Sequence, residues 1–401
     1  MSATQSSLRS IDNIRSEFPA TKKYIYMDVA NQGLISRTTL GSFEKHLQNR
    51  LSGVNDELFQ LREVERTRAR FGSFIGADAN EIAITKNASE GINILANAFD
   101  WKAGDNVILC PQLEHANNIL PWLQIRKKFC IELRTVESVD GSFPVEAAIN
   151  SIDRSTRIVA LSTVTMVPGY RTMMRPISDA CRSNGTFLLA DGTQSVGILD
   201  TNVDDLGVDG LSVSTVKGLM GLYGSGFLYC RRDWAEQLEP AYLTRFSIDL
   251  GDAPESAPIL DIPKLRAGSP RFDVGHYNFP GLIAVDSSIH QLAEIGTDVI
   301  DAHVTKLAER LSQGLMEMGL PVCHSSGGHQ PGSIVAVGDV GTALGKAEPA
   351  PMVRELHNFL LERNVAVSVR RGLLRFSLHV YNTSNEVDQV LDFSSAWLKK
   401  A

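Results

Sequence analysis

The stretch Asp209-Gly-Leu-Ser-Val-Ser-Thr-Val-Lys217-Gly-Leu-Met-Gly-Leu-Tyr-Gly-Ser-Gly-Phe-Leu-Tyr229 decides how the rest of the chain is read. Its β-branched run over Gly210–Thr215 predicts a strand that stops just short of a lysine. Four glycines follow within nine residues, and a second apolar run, Gly226–Cys230, predicts another strand. A lysine at a strand end, among small and apolar side chains, sits where burial lowers its pKa and makes its amine nucleophilic. The same residues also fit a surface lysine in a glycine-rich turn. The choice between the two rests on the rest of the chain.

Upstream, short β-branched strands alternate with helices. Strand Ile82–Thr85 leads through Lys-Asn-Ala-Ser-Glu-Gly into a helix whose Ile92, Leu95, Ala96 and Phe99 share one face. Strand Asn106–Cys110 precedes helix Asn118–Lys128, and strand Arg157–Thr163 precedes helix Arg175–Ser183. Strand Thr186–Ala190 then ends at Asp191. This order predicts an α/β domain with a mainly parallel sheet covered on both faces, its ligands gathered at the carboxyl ends of the strands. Before it, Leu40 to Phe74 reads as one long helix. After it, Leu250 to Pro270 turns to prolines and small residues, a boundary. Helices Gly281–Ile295, Asp301–Met318 and Pro351–Arg363, strand Ser333–Val337 and a hairpin across Val365–Tyr381 predict a smaller α+β domain. The expected division is 20–265 for the large domain, and 1–19 with 266–401 for the small one.

Bulk properties exclude several functions. The 401 residues are 43% hydrophobic, ample for two domains or one with a satellite. A formal charge of −7 without any run of five like charges argues against nucleic-acid or anionic-membrane partners. The first residues, MSATQSSLRSIDNIRSEF, lack the apolar segment of a secretory signal, and no window is apolar enough to span a membrane. Cysteines 110, 130, 181, 230 and 323 lie far apart with no Cys-x-x-Cys, as expected of reduced thiols in a cytoplasmic protein. The nine histidines have no metal-ligand spacing.

Four places carry chemistry, each with a plainer reading beside it. Ser89, before a helix and beside Asn87 and Ala88, suits a phosphate at a helix N-terminus, or is an ordinary cap. Asp191 ends an apolar strand with Gln194 three residues on; it suits a protonated heterocyclic nitrogen, or caps the next turn. In Leu374-Arg375-Phe-Ser377-Leu-His379, alternation puts Arg375, Ser377 and His379 on one face. Arg375 there suits a substrate carboxylate, or lies on a solvated sheet face. His115 is a lone histidine, by itself more often structural.

Together these segments resemble the class V aminotransferase family. These are pyridoxal-phosphate enzymes of fold type I that include cysteine desulfurases and isopenicillin N epimerase-like proteins. The resemblance runs from about Tyr26 to Asn382 and rests on seven segments in the family's order: YMDVANQG, TKNASEGIN, LEHANNILPW, ADGTQSVG, VDGLSVSTVKGLMGLYGSGFLY, RFDVGHYNFPG and LRFSLHVYNT. It implies a Schiff base between Lys217 and pyridoxal 5'-phosphate. Asp191 would pair with the pyridine nitrogen, Gln194 would touch the ring hydroxyl, and His115 would stack on the ring. Ser89, Ser214 and the amides of Ala88 and Ser89 would hold the phosphate. Arg375 and Asn31 would bind an amino-acid substrate, in a homodimer with its active site at the subunit interface.

Three departures from the family matter. Val216 stands where a phosphate-binding histidine often precedes the lysine. His276 replaces a threonine or asparagine that reaches the phosphate of the other subunit, so we expect His276 to make that contact from the partner. Met166 takes the place of an asparagine that supports the ring hydroxyl. Desulfurases also carry a nucleophilic cysteine on a loop shortly before the carboxylate-binding arginine. Here no cysteine follows Cys323, and the compact turn Arg370-Arg-Gly-Leu-Leu-Arg375 resembles the epimerase-like branch. The resemblance therefore implies a pyridoxal-phosphate enzyme acting at Cα or Cβ of an amino acid, a lyase such as a carbon–sulfur β-lyase or a related transformation in specialised metabolism. Transamination, persulfide-forming desulfurase chemistry and a non-catalytic scaffold are the alternatives.

Overall fold

The computed structural model describes residues 10–54, 57–251, 258, 261, 264–323, 332–341 and 348–400. Its main sheet has seven strands: β2 (Ile82–Thr85), β3 (Asn106–Leu109), β4 (Glu132–Thr135), β5 (Thr156–Ser162), β6 (Phe187–Asp191), β7 (Gly210–Ser214) and β8 (Gly226–Cys230). They lie in the order β2-β8-β7-β6-β5-β3-β4, and β8 alone runs against its neighbours. The α/β expectation holds, with one antiparallel insertion. The glycine turn after Lys217 causes it by returning the chain directly beside β7.

Alternation along β6 divides the core. Phe187 and Leu189 pack on one face with Leu95, Trp122 and Ile125, while Leu188 and Ala190 pack on the other with Ile177, Cys181 and Leu211. Each face is thus closed by helices, Ala88–Ala98 and Leu120–Phe129 on the first and Met174–Asn184 on the second.

The expected long helix is two, Arg37–Leu51 and Glu57–Phe74. Gly53 breaks it with a φ of 74°, a left-handed conformation that a side chain disfavours. Leu40, Leu47 and Leu51 face outward, whereas Val64 and Phe71 are buried. The helix Phe279–Ile295 packs across both, and Arg66 and Arg70 each reach its Asp286 at 2.8 Å.

A second sheet joins β9 (Ile334–Val337), β11 (Ser368–Arg370) and β12 (Leu373–Ser377) as an antiparallel set ordered β11-β12-β9. The expected hairpin across Val365–Tyr381 therefore narrows to β11 and β12. Val365–Ala366, β10, pairs instead with β1 (Ile25–Tyr26). The segment following β1 stitches the two sheets together: Ser377 Oγ accepts from the Ala30 amide, and the Gly33 amide donates to the Val216 carbonyl. The C-terminal helix Ser384–Leu398 opens with a capping box of Thr383 and Glu386, a T-x-x-E cue present in the sequence. The N-terminal nine residues of the expected small domain, and much of the proline-rich boundary, lie outside the described residues. No described helix is long and apolar enough to cross a membrane.

Candidate active site

Three parallel strands, β5, β6 and β7, deliver their carboxyl ends to one side of the main sheet. The ladder sets Ser162 against Asp191 and Asp191 against Ser212. A cavity of about 210 Å³ opens there, and its lining includes Asn31, Ala88, Ser89, His115, Asp191, Gln194, Ser214 and Lys217. Eight of the ten residues singled out from the sequence thus meet in one place, although they span 187 positions from Asn31 to Lys217.

Backbone contacts fix Lys217. The Met220 amide donates to its carbonyl at 2.9 Å, and the Gly221 amide closes back on Thr215 at 2.8 Å. Gly33 passes so close that a Cβ there would overlap the Lys217 carbonyl. Burial holds the Lys217 pKa down to about 8; Asp191 opposes this, while the positive charges of Arg375 and Arg370 add to it. The surface-lysine alternative is excluded.

Asp191 Oδ1 accepts from the Thr193 amide at 2.9 Å, so the carboxylate caps its turn and faces the cavity at once. Gln194 is buried. Its amide nitrogen donates to the Ala30 carbonyl at 3.2 Å, which leaves Oε1 without a partner. An orphaned buried acceptor is costly unless a ligand donates to it. His115 Nδ1 accepts from the Asn117 amide at 3.2 Å, and burial lowers its pKa, Lys217 adding to the effect.

The N-cap of helix Ala88–Ala98 is Asn87, which accepts from the Glu90 amide, and Ser89 is the second helical residue. The plain-cap reading of Ser89 therefore gives way. Ser214 Oγ accepts from the Ala88 amide at 2.9 Å, which joins the end of β7 to the helix start.

Arg375 is 1% exposed, so the solvated-face alternative fails: Ser377 and His379 beside it are buried as well. Its guanidinium donates to the Met166 carbonyl at 3.0 Å and to Ser368 Oγ at 3.4 Å, and Nε has no partner. Among the described residues no carboxylate forms an ion pair with it. Burial lowers its pKa to about 10, Asp28 opposing. A buried guanidinium without a counter-ion is destabilising until an anion arrives. Met166, whose carbonyl it grips, lines the cavity.

His276 does not join the group. It lies exposed in a separate surface hollow with Lys86, Glu90 and Asn278, its ring edge-on to Phe246 at 5.3 Å. Val216 lines the cavity and is buried.

Sequence reasoning passed over Ser162, Thr193 and Tyr223, which also line the cavity. Thr193 was findable inside the Asp191–Gln194 segment. It also missed Glu114, whose buried carboxylate accepts from the Ser162 amide at 2.8 Å, Ser162 Oγ at 2.6 Å and Asn118 at 2.8 Å. Burial, opposed by these donors, raises Glu114 to about 7. Among the described residues no cluster is arranged to hold a metal ion.

A largely buried amine of lowered pKa, a strand-end carboxylate, an orphaned amide oxygen and an unpaired guanidinium fit an aldehyde-bearing, anionic heterocycle and a carboxylate substrate. Pyridoxal phosphate has that chemistry. A family model described as aminotransferase class-V matches residues 25–390. Over 395 residues the chain is 27% identical to a probable cysteine desulfurase of Methanothermobacter thermautotrophicus, covering 94% of this chain and 95% of that one. It is 24% identical over 385 residues to an uncharacterized aminotransferase, YcbU, of Bacillus subtilis, covering 95% and 96%. The apo structure of a cysteine desulfurase from Thermococcus onnurineus matches with a TM-score of 0.86 and 25% identity, over 99% of this chain and 100% of that one.

Proposed function

The chain belongs to the class V aminotransferase family and is a pyridoxal-phosphate-dependent enzyme, and from that premise we propose that it is a lyase cleaving the Cβ–S bond of an amino acid. The likeness to cysteine desulfurases supports carbon–sulfur chemistry. The observation that carries the rest is the placement of thiols: none of the five cysteines lines the cavity. Cys110, Cys181 and Cys230 are buried in the core, with Cys110 and Cys181 raised to about 12 chiefly by burial. Cys323 is likewise raised to about 12 and donates to the Gly338 carbonyl at 3.4 Å. A thiol in that state is a poor nucleophile. Sulfur therefore departs with the leaving group, and no enzyme persulfide forms.

In this reading the bound cofactor supplies an electron sink for the bond that breaks. Lys217, its pKa near 8, anchors the cofactor and afterwards moves a proton at the substrate Cα. Asp191 would keep a proton on the ring nitrogen, Gln194 Oε1 would accept from the ring hydroxyl, and His115 would pack against the ring. Ser214 Oγ accepts a hydrogen bond from the Ala88 amide and keeps its own hydrogen to donate to the phosphate, beside Ser89 and its amide; the Ala88 amide, expected from the sequence at the phosphate, acts there through Ser214. Arg375 takes the α-carboxylate in a charge-assisted pair, with Asn31 at the cavity edge. His276 acts from the second subunit of a homodimer. The proposal includes a cytoplasmic setting, in keeping with five free cysteines.

The test is product analysis with cysteine, cystine and thioether conjugates. Pyruvate, ammonia and the released thiol are expected, at a rate unchanged by Cys323→Ala. A new amino acid that forms only when a keto acid is added would replace this reading with transamination. Sulfide release that disappears in Cys323→Ala would restore the persulfide route.

A further inference from the structure

We propose that Arg371 is a positioning residue that ties the hairpin carrying Arg375 to the turn carrying His115. The inference rests on the cofactor and substrate roles proposed above and adds a residue to them.

Arg371 sits in the turn between β11 and β12 with a φ of 46°, followed by Gly372 with a φ of 78°. A left-handed backbone disfavours a side chain, so arginine sits there against local preference. Its side chain reaches across the molecule to the turn before helix Leu120–Phe129. One terminal nitrogen donates to the Gln112 carbonyl and the other to the Glu114 carbonyl, the latter at 2.8 Å. Two parallel donors on a rigid fork grip two carbonyls that flank Leu113 and lead directly into His115. Both terminal nitrogens are thus engaged on backbone. Arg371 is absent from the cavity lining, so it acts there through the carbonyls it holds.

The His115 turn is consequently clamped from two sides. On the main-sheet side the Glu114 carboxylate binds Ser162 at the end of β5, and Asn118. On the other side stands Arg371, four residues before Arg375 in the same hairpin. The His115 ring is further fixed by Asn117. An anion seated on Arg375 restrains the hairpin, and through Arg371 that restraint reaches the backbone under the ring-stacking histidine. Nothing else in the hairpin duplicates this link: Arg370 turns the other way, to Asn31 Oδ1 at 3.1 Å.

A double-mutant cycle on pyridoxal-phosphate affinity tests it, with visible circular dichroism of the bound cofactor as a second readout. In the wild-type background R371A is expected to raise the cofactor Kd about tenfold, the scale of one or two lost hydrogen bonds to a charged group, and to change the visible dichroism at saturation. In an H115A background the same substitution is expected to change Kd less than about twofold, because the residue it acts through is gone. R371K, which keeps one donor, is expected to recover part of the loss. If R371A does not fold, R371M, which keeps the stem and removes the donors, is read in the same way. Equal effects in both backgrounds, or unchanged dichroism and Kd in R371A, overturn the inference alone. Wild-type protein that binds no pyridoxal phosphate overturns it together with the proposed function.

Discussion

The carboxyl end of β7 and the β11–β12 hairpin both place cations at the cavity, Lys217 in its lining and Arg375 behind the lining residue Met166, and they hold them by different means. Lys217 is set by main-chain bonds: Met220 to its carbonyl, Gly33 to Val216, Gly221 to Thr215. None of these depends on which side chains are present, apart from the small residues that let the strands approach. Arg375 and Arg371 are set by side chains reaching carbonyls 209 and 257 positions away. The floor is therefore a property of the sheet, and the hairpin a property of a few named residues. In the proposed function the floor carries the chemistry and the hairpin the choice of substrate, so changes to the two should be separable in kinetics.

Substitution sharpens that contrast most. Lys217→Ala removes both the anchor and the proton carrier, and is expected to lower kcat by about 10⁴ with the fold intact. Arg375→Lys keeps the charge but loses the fork, and is expected to raise KM about 10- to 100-fold while kcat changes little. Steady-state kinetics on whichever substrate the product assay identifies reads both. A fall in kcat for Arg375→Lys as deep as that for Lys217→Ala would erase the distinction between floor and hairpin.

pH separates the same two regions by a smaller factor. Burial lowers Lys217 to about 8, so its free amine increases with pH up to that value and is complete above it. The rate at which apoprotein takes up pyridoxal phosphate into its visible-absorbing form is expected to rise about tenfold per unit below pH 8 and then level off. Arg375 is lowered only to about 10 and stays charged from pH 6 to 9, so its grip on a carboxylate shows no step there. An uptake midpoint near the ordinary lysine value of 10.5 would mean that the floor does not desolvate its amine.

The floor was legible in the sequence because its signals are local. A strand period, a lysine at its end and glycines after it lie within about twenty residues, and the same holds for Asp191 and Gln194. The hairpin was legible only as far as Arg375, through alternation along one strand. That both faces of β12 are buried follows from the helix Pro351–Leu361 packed against it and from the segment after β1, neither of which alternation encodes. Arg371 carried no pattern, since its partners are backbone carbonyls, and Glu114 little, since Ser162, which donates to both its oxygens, lies 48 positions away. The single helix expected over Leu40–Phe74 failed for the opposite reason: its charge and leucine spacing are helical on both sides of Gly53, and one left-handed glycine outweighs them. His276 lies outside the cavity of its own chain, in a surface hollow with Lys86, Glu90 and Asn278.

Glu114 is where the two regions meet, and it gives the smallest of the expected effects. Its carboxylate holds the floor at Ser162, and its carbonyl is gripped by the hairpin through Arg371. Burial raises its pKa from 4.5 to about 7 even though Ser162 and Asn118 donate to it. The folded protein therefore binds a proton there that the unfolded chain has released between those two values. Stability contributed by this carboxyl is fully present below about 4.5, falls as pH rises, and is lost above about 7, by at most about 3 kcal/mol. Glu114→Gln abolishes the titration while keeping one acceptor for Ser162. The stability difference between wild type and Glu114→Gln, from denaturation midpoints at pH 5, 6, 7 and 8, should therefore move in favour of the variant across pH 5 to 7 and then stay constant. The shift should occur without a change in the midpoint of cofactor uptake, because Lys217 is desolvated by the sheet and not by this joint. A stability difference independent of pH would mean that Ser162 and Asn118 hold Glu114 ionised. The turn under His115 would then be fixed by a permanent charge at the floor, leaving less of its placement to Arg371.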